Sequence, residues 1–139
     1  MDKSILFHVS DQELMPTKSA YAHISDIDKY EDNSLDEILY QDLCDFFISD
    51  DATTLLQKAY QKLNHGGSIF IQGSDLRQLC MAVSFNMIDQ DIVKKVLYPN
   101  KKSIHLISEM LDMLKRVGFI IDIKKYINVF EYYIKASKP

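Results

Sequence analysis

Residues 50–74 read "DDATTLLQKAYQKLNHGGSIFIQGS": a helix, a double glycine and an apolar strand, with nothing between them. Leu55, Leu56, Ala59 and Leu63 recur at the spacing of one helical face, and Ser49, Asp50 and Asp51 can all cap its start. Gly66, in "NHGG", can take the left-handed backbone that ends a helix, and Gly67 relieves crowding where the next strand begins. The strand "SIFIQGS" (68–74) is continuously apolar rather than alternating, the pattern of a strand covered on both faces. A helix that feeds a doubly covered strand is the connection of a parallel sheet. The motif therefore excludes all-α and all-β folds.

The flanking sequence extends the same alternation. "SILFHVS" (4–10) is apolar and β-branched, "SAYAHI" (19–24) is a second short strand, and "LDEILYQD" (35–42) is a third that ends at Gln41 or Asp42. Downstream, "DLRQLCMAVSFN" (75–86) and "DQDIVKKVL" (89–97) predict helices, the second stopped by Pro99. "SIHLISEMLDMLKRVGF" (103–119) predicts a third, capped by Ser103, with Ile104, Ile107, Leu111, Leu114 and Val117 on one face and Gly118 at its end. "FIIDI" and "NVFEYYIKAS" then read as two strands joined by a short turn, with "EYYIKA" an edge or near-edge strand and a candidate dimer surface. The expected fold is α/β: a mostly parallel sheet closed by a C-terminal antiparallel strand pair, in a single domain of 139 residues.

Composition narrows the partners. With 16 Lys and Arg against 20 Asp and Glu, the net charge of −4 disfavours nucleic acid, although Lys94, Lys95, Lys101 and Lys102 form a local basic patch. No apolar run reaches the ~18 residues of a membrane span. "MDKSILFHVS" turns polar too soon for a secretory leader, and two lone thiols, Cys44 and Cys80, suit a reducing compartment, so a cytoplasmic chain is expected. His8, His23, His65 and His105 are scattered without metal-ligand spacing, and no metal site is expected.

Four segments resemble class I S-adenosylmethionine (SAM)-dependent methyltransferases, in the right order over about residues 24–137. "DIDKYEDNSLDEILYQDLCDFF" is similar to their acidic loop and fourth strand, and "LLQKAYQKLNHGGSIFIQGSDL" to the block before their fifth strand. "HLISEMLDMLKRVGFIIDI" resembles their late helix and sixth strand, and "FEYYIKASK" their seventh. The resemblance implies a reduced Rossmann-like fold whose ligand lies outside the C-terminal strand ends. It also implies a methyltransferase acting on O or N of a small-molecule or sugar-type acceptor, with SAM as cofactor.

The family's glycine-rich loop after the first strand is missing. "HVSDQEL" stands there, and its β-carbons obstruct close approach of backbone to a ligand. A second copy of the chain could complete so reduced a site. Alternatively, the chain is a non-catalytic module that binds itself or a true methyltransferase.

By resemblance, Val9, Ser10, Asp11, Asp26, Ile27, Asp28, Gln41 and Gly73 are the cofactor-binding candidates. Carboxylates suit paired ribose hydroxyls because they accept twice, but Asp26 and Asp28 equally suit turns. SAM's sulfonium needs carboxylates, carbonyls or aromatic faces nearby, which Asp11, Asp26, Asp28, Asp42, Phe46 and Phe47 can supply. Gly73 either leaves room for ligand or simply turns the chain. Asp42 is a candidate general base, or a first-turn acid of the next segment. His105 is a candidate acid/base or acceptor contact.

Overall fold

The computed structural model describes residues 3–8, 20–47, 49–97 and 105–139. Six strands form one sheet: β1 (Ser4–His8), β2 (Ala20–His23), β3 (Leu35–Gln41), β4 (Leu63–Ser74), β5 (Ile120–Tyr126) and β6 (Glu131–Ser137), in the order β2-β1-β3-β4-β6-β5. The first four are parallel, and β6 runs antiparallel to both β4 and β5. The helices are α1 (Ser49–Lys62), α2 (Leu76–Ser84), α3 (Gln90–Leu97) and α4 (Ile107–Val117), and 3-10 turns follow β2 (Ile24–Lys29) and β3 (Leu43–Phe46). The strand–helix alternation and the closing antiparallel pair match the sequence expectation. Ser103, Ile104 and Pro99 lie outside the described residues.

Register sorts the side chains into two faces. Phe7 is level with Tyr40, Tyr40 with Ile71 and Ile71 with Ile134, so these four share a face. That face carries the main core, built with Ala52, Leu55, Leu56 and Ala59 of α1 and with Met110, Met113 and Leu114 of α4. The α4 stripe read from the sequence is rotated: Leu114 is buried, but Met110 and Met113 are its other fully buried members, while Ile107, Leu111 and Val117 pack at the margin. Unbranched Met fits the gap between helix and sheet where a β-branched side chain is too stiff. Tyr40 is wholly buried and donates its hydroxyl to the Leu55 carbonyl at 2.9 Å. Burial pushes its ionisation well above the ordinary tyrosine value.

One expectation is corrected. The strand after α1 starts at Leu63, not Ser68, so the double glycine lies inside β4. Leu35 pairs with Leu63 but Glu37 pairs with Ser68, so the extra residues of β4 bulge from the ladder around Gly66 and Gly67. Gly66 takes φ +82°, and a β-carbon on Gly67 would stand 2.9 Å from the Asn64 carbonyl oxygen. The glycines thus shape a bulge where helix meets sheet. β6 is a near-edge strand, as expected, lying one strand inside the sheet, and the outer edge on that side belongs to β5.

The N-terminal rim of the parallel strands is closed by side chains. Lys138, almost fully buried, donates to Asn33 Oδ1 at 2.7 Å, to the Tyr60 carbonyl at 2.8 Å and to the Leu63 carbonyl at 3.0 Å. It brings a cation to the end of α1, where the helix leaves carbonyls without intrahelical donors. Asp36 accepts the Lys3 N–H at 2.8 Å and the Asn64 amide at 2.7 Å, joining β1, β3 and the bulge. The backbone hydrogen bond from Lys3, then that from Asn64, holds its carboxyl below the usual aspartate value.

Candidate functional site

The C-terminal rim is where an open parallel sheet offers a crevice. The chain leaves β1 for β2 on one side and then returns to β3 on the other, so strand order reverses at β1. The candidate acids lie at the ends of the two strands that flank this switch point.

After β2, the 3-10 turn carries Asp26, Ile27 and Asp28. Its start is fixed by His23, whose Nδ1 accepts the Ser25 N–H at 3.1 Å. Asp26 pairs with Lys29 at 2.9 Å and Asp28 with Lys58 at 3.0 Å. Their side chains are 40% and 65% exposed, and both ion pairs are weak in water. Ile27 is 1% exposed and packs in the core, so its side chain holds the turn down and lines no crevice.

After β3, Gln41 is level with Gln72, and the Asp42 N–H donates to the Gln72 carbonyl at 2.7 Å. Asp42 is half-buried and left-handed, with φ 52° and ψ 7°. Asp and Asn adopt this conformation more readily than other non-glycine residues, and Asn33 and Asn86 also take it here. Asp42 turns the chain sharply off β3 into Leu43–Phe46. His105, 1% exposed, reaches this turn from the segment before α4, with Nε2 3.3 Å from the Cys44 carbonyl oxygen. A carbonyl only accepts, so Nε2 is the donor in this contact. His105 thus contacts the Leu43–Phe46 turn that Asp42 precedes, though the two candidates are 63 residues apart by their numbering.

Gly73 has a reason that sequence alone does not show. A β-carbon there would stand 2.6 Å from the hydroxyl oxygen of Tyr132 and 2.8 Å from its ring. Tyr132, level with Gly73 on β6 and wholly buried, occupies that space. Val9, Ser10 and Asp11 lie outside the described residues.

Two features were missed in the sequence. Asp75, 2% exposed, accepts from Gln78 N–H at 3.0 Å, Ile107 N–H at 2.8 Å and the Tyr126 hydroxyl at 3.2 Å. One carboxylate thus serves the first turns of α2 and α4 and ties them to β5. Its cap role for α2 follows from "SDLRQ", but the contacts with Ile107 and Tyr126 have no local signal. Partial burial and the nearby Asp75 charge raise the Tyr126 ionisation. The second feature is the pair His8 and His23, remote in sequence yet level on neighbouring strands, with rings 5.8 Å apart. Among the described residues, no three His, Cys, Asp or Glu side chains gather as a metal would need.

Strand order and the helix layer over the core face define a Rossmann-like α/β protein. Solved structures identify the kind: the chain has the fold of class I SAM-dependent methyltransferases. No family profile and no curated protein matches the sequence. The SAM-dependent methyltransferase SibL in its apo form superposes with a TM-score of 0.64 at 18% identity, over 88% of this chain and 36% of that one. A SAM-dependent methyltransferase of Thermotoga maritima, described as a possible histamine N-methyltransferase, gives 0.59 at 18% identity, over 87% and 63%. A possible exported protein of Bordetella parapertussis gives 0.67 at 13% identity, over 87% and 44%. The chain therefore spans less than two thirds of each of these proteins. Among the described residues, no helix is long and apolar enough to cross a membrane.

Proposed function

We propose that the chain is a reduced SAM-dependent methyltransferase that moves a methyl group to an oxygen or nitrogen of a small-molecule or sugar-type acceptor. The observation that carries this reading is the C-terminal rim itself: Asp26 and Asp28 on one side of the switch point, and a left-handed Asp42 on the other.

The residues fit the cofactor on its adenosine side. Asp26 and Asp28 are exposed acceptors for ribose hydroxyls, and Gln41 stands at the end of β3, with β1 between that strand and β2. On the methionine side, Val9, Ser10 and Asp11 are the assigned contacts, and no glycine precedes Gly66. SAM, when bound, supplies an electrophilic methyl and leaves as a neutral thioether. The rest of the work is positioning and proton removal. Asp42 takes the proton from the acceptor hydroxyl or amine as the new bond forms. His105 holds the Leu43–Phe46 turn through Cys44 and so sets the direction of Asp42.

Calorimetry with SAM and S-adenosylhomocysteine tests this reading. Binding weakened at least about tenfold by Asp26→Ala or Asp28→Ala is expected for loss of a charged hydrogen bond. Binding indifferent to both substitutions would overturn the site assignment. No heat at millimolar ligand would overturn the enzyme reading for the isolated chain.

A second reading, a non-catalytic module that binds a true methyltransferase, is favoured by one specific set of contacts. Lys29 and Lys58 already engage the two acids, and Tyr132 fills the space beside Gly73. Failure to bind either ligand, together with capture of a partner methyltransferase, would establish it.

A further inference from the structure

β5 and β6 fall out of step at one place. Ile121 is level with Ala136 and Ile123 with Lys135, so two residues of β5 span one step of β6, and Asp122 is the extra one. The bulge resets which way the strand faces. Ala136 is wholly buried in the main core, whereas Lys135 lies over the Phe70 ring at 5.6 Å, on the other face of the sheet. A regular strand running on from Ile121 would send Asp122 and Lys124 together to that other face. With the bulge, Lys124 is level with core-facing Ile134 instead, and Asp122 and Lys124 both line the α4 side.

What they line is a groove of about 510 Å³ between α4 and β5, within the size range of small-ligand sites. Its apolar wall is Leu111, Phe119, Ile120 and Ile121. Lys115, one helical turn after Leu111, borders the same groove. Lys115, Asp122 and Lys124 are exposed, and among the described residues none of them is in an ion pair. The groove therefore offers an apolar surface, two cations and one anion. A fatty or aromatic anion would meet Asp122 as a like charge, and a simple amine would meet two lysines. A zwitterion answers all three, with its carboxylate to the lysines, its ammonium to Asp122 and its apolar body on Leu111 and Ile121.

We infer that the groove beside the β5 bulge binds a small zwitterion with an apolar body, the chemistry of a free aromatic or aliphatic α-amino acid. It lies at the sheet edge opposite β2, apart from the turns assigned to SAM, and does not depend on that assignment.

Amide NMR of the full chain, titrated with L-phenylalanine, tests it. Saturable shifts are expected along residues 111–124. N-acetylphenylalanine lacks the ammonium and phenethylamine lacks the carboxylate, and each should bind at least about fivefold more weakly. Asp122→Asn should weaken phenylalanine about fivefold and leave N-acetylphenylalanine no weaker. Lys115→Met combined with Lys124→Met should weaken phenylalanine by about the same factor and leave phenethylamine no weaker. These positions are exposed, so the variants should keep the parent's amide spectrum away from the groove. No saturable shift at the groove up to the solubility of phenylalanine would overturn the inference. So would either analogue binding as tightly as phenylalanine, or variants that bind phenylalanine as the parent does.

Discussion

The two rims of the sheet belong to the same strands but are closed by different means. At the N-terminal rim, Lys138 and Asp36 bind backbone and side chains of elements far apart in sequence. Their polar groups are engaged with one another, which leaves this end rigid and chemically quiet. Past the C-terminal strand ends, Asp42 sits in a disfavoured backbone region and Asp26, in the turn after β2, is partly exposed. A parallel sheet makes this division natural, since its crevice opens on one rim only. One end carries stability, and the other holds groups placed at some cost to it.

The strongest break of this comparison is Lys138→Met. It keeps much of the apolar stem but leaves the Tyr60 and Leu63 carbonyls and Asn33 without their cation. A loss of about 3 kcal/mol is expected in urea unfolding. Next is Gly73→Ala, whose new methyl must displace the Tyr132 ring, at about 2 kcal/mol. Asp42→Gly should work in the opposite direction. Relief of the left-handed backbone should raise stability by up to about 1 kcal/mol while any methyl transfer is lost, measured by melting and by turnover on the same sample. A loss of stability instead would erase the contrast between the rims.

The smallest effect concerns pH. The Asp36 carboxyl is depressed in the folded chain by the Lys3 and Asn64 hydrogen bonds, so its contribution is present above the unfolded aspartate value. It is lost as pH falls through the lower folded value. Asp36→Asn should therefore flatten the acid limb of the stability profile and leave neutral pH nearly as different from parent as pH 5. Tyr40 works on the alkaline side, since its raised ionisation keeps its contribution intact below the unfolded tyrosine value and loses it as pH climbs beyond.

The fold was readable because its signals are local. Helix faces, the apolar run 68–74 and the Gly118 stop each depend on neighbours within a few residues. The start of β4 was misread because a glycine pair after a helix signals a stop whether or not the backbone then bulges within a ladder. The site was less readable because its meaning is set by distant residues. Lys138 finds its partners 75 to 105 positions away, and Asp75 reaches α4 across 32. Asp26 and Asp28 could be named from sequence, but the lysine opposite Asp28 comes from α1, 30 positions on. Nothing near "IQGSD" announces that the room at Gly73 is taken by a phenol from β6.

That filled room is also a handle for chemistry. A ring stands where a bare backbone would otherwise border open space, so Tyr132→Ala would leave a buried void shaped for one small aromatic molecule. Added phenol should then refold and stabilise the variant in proportion to its concentration. In that altered chain, a seat at the end of β4 would be held by a molecule supplied from solution.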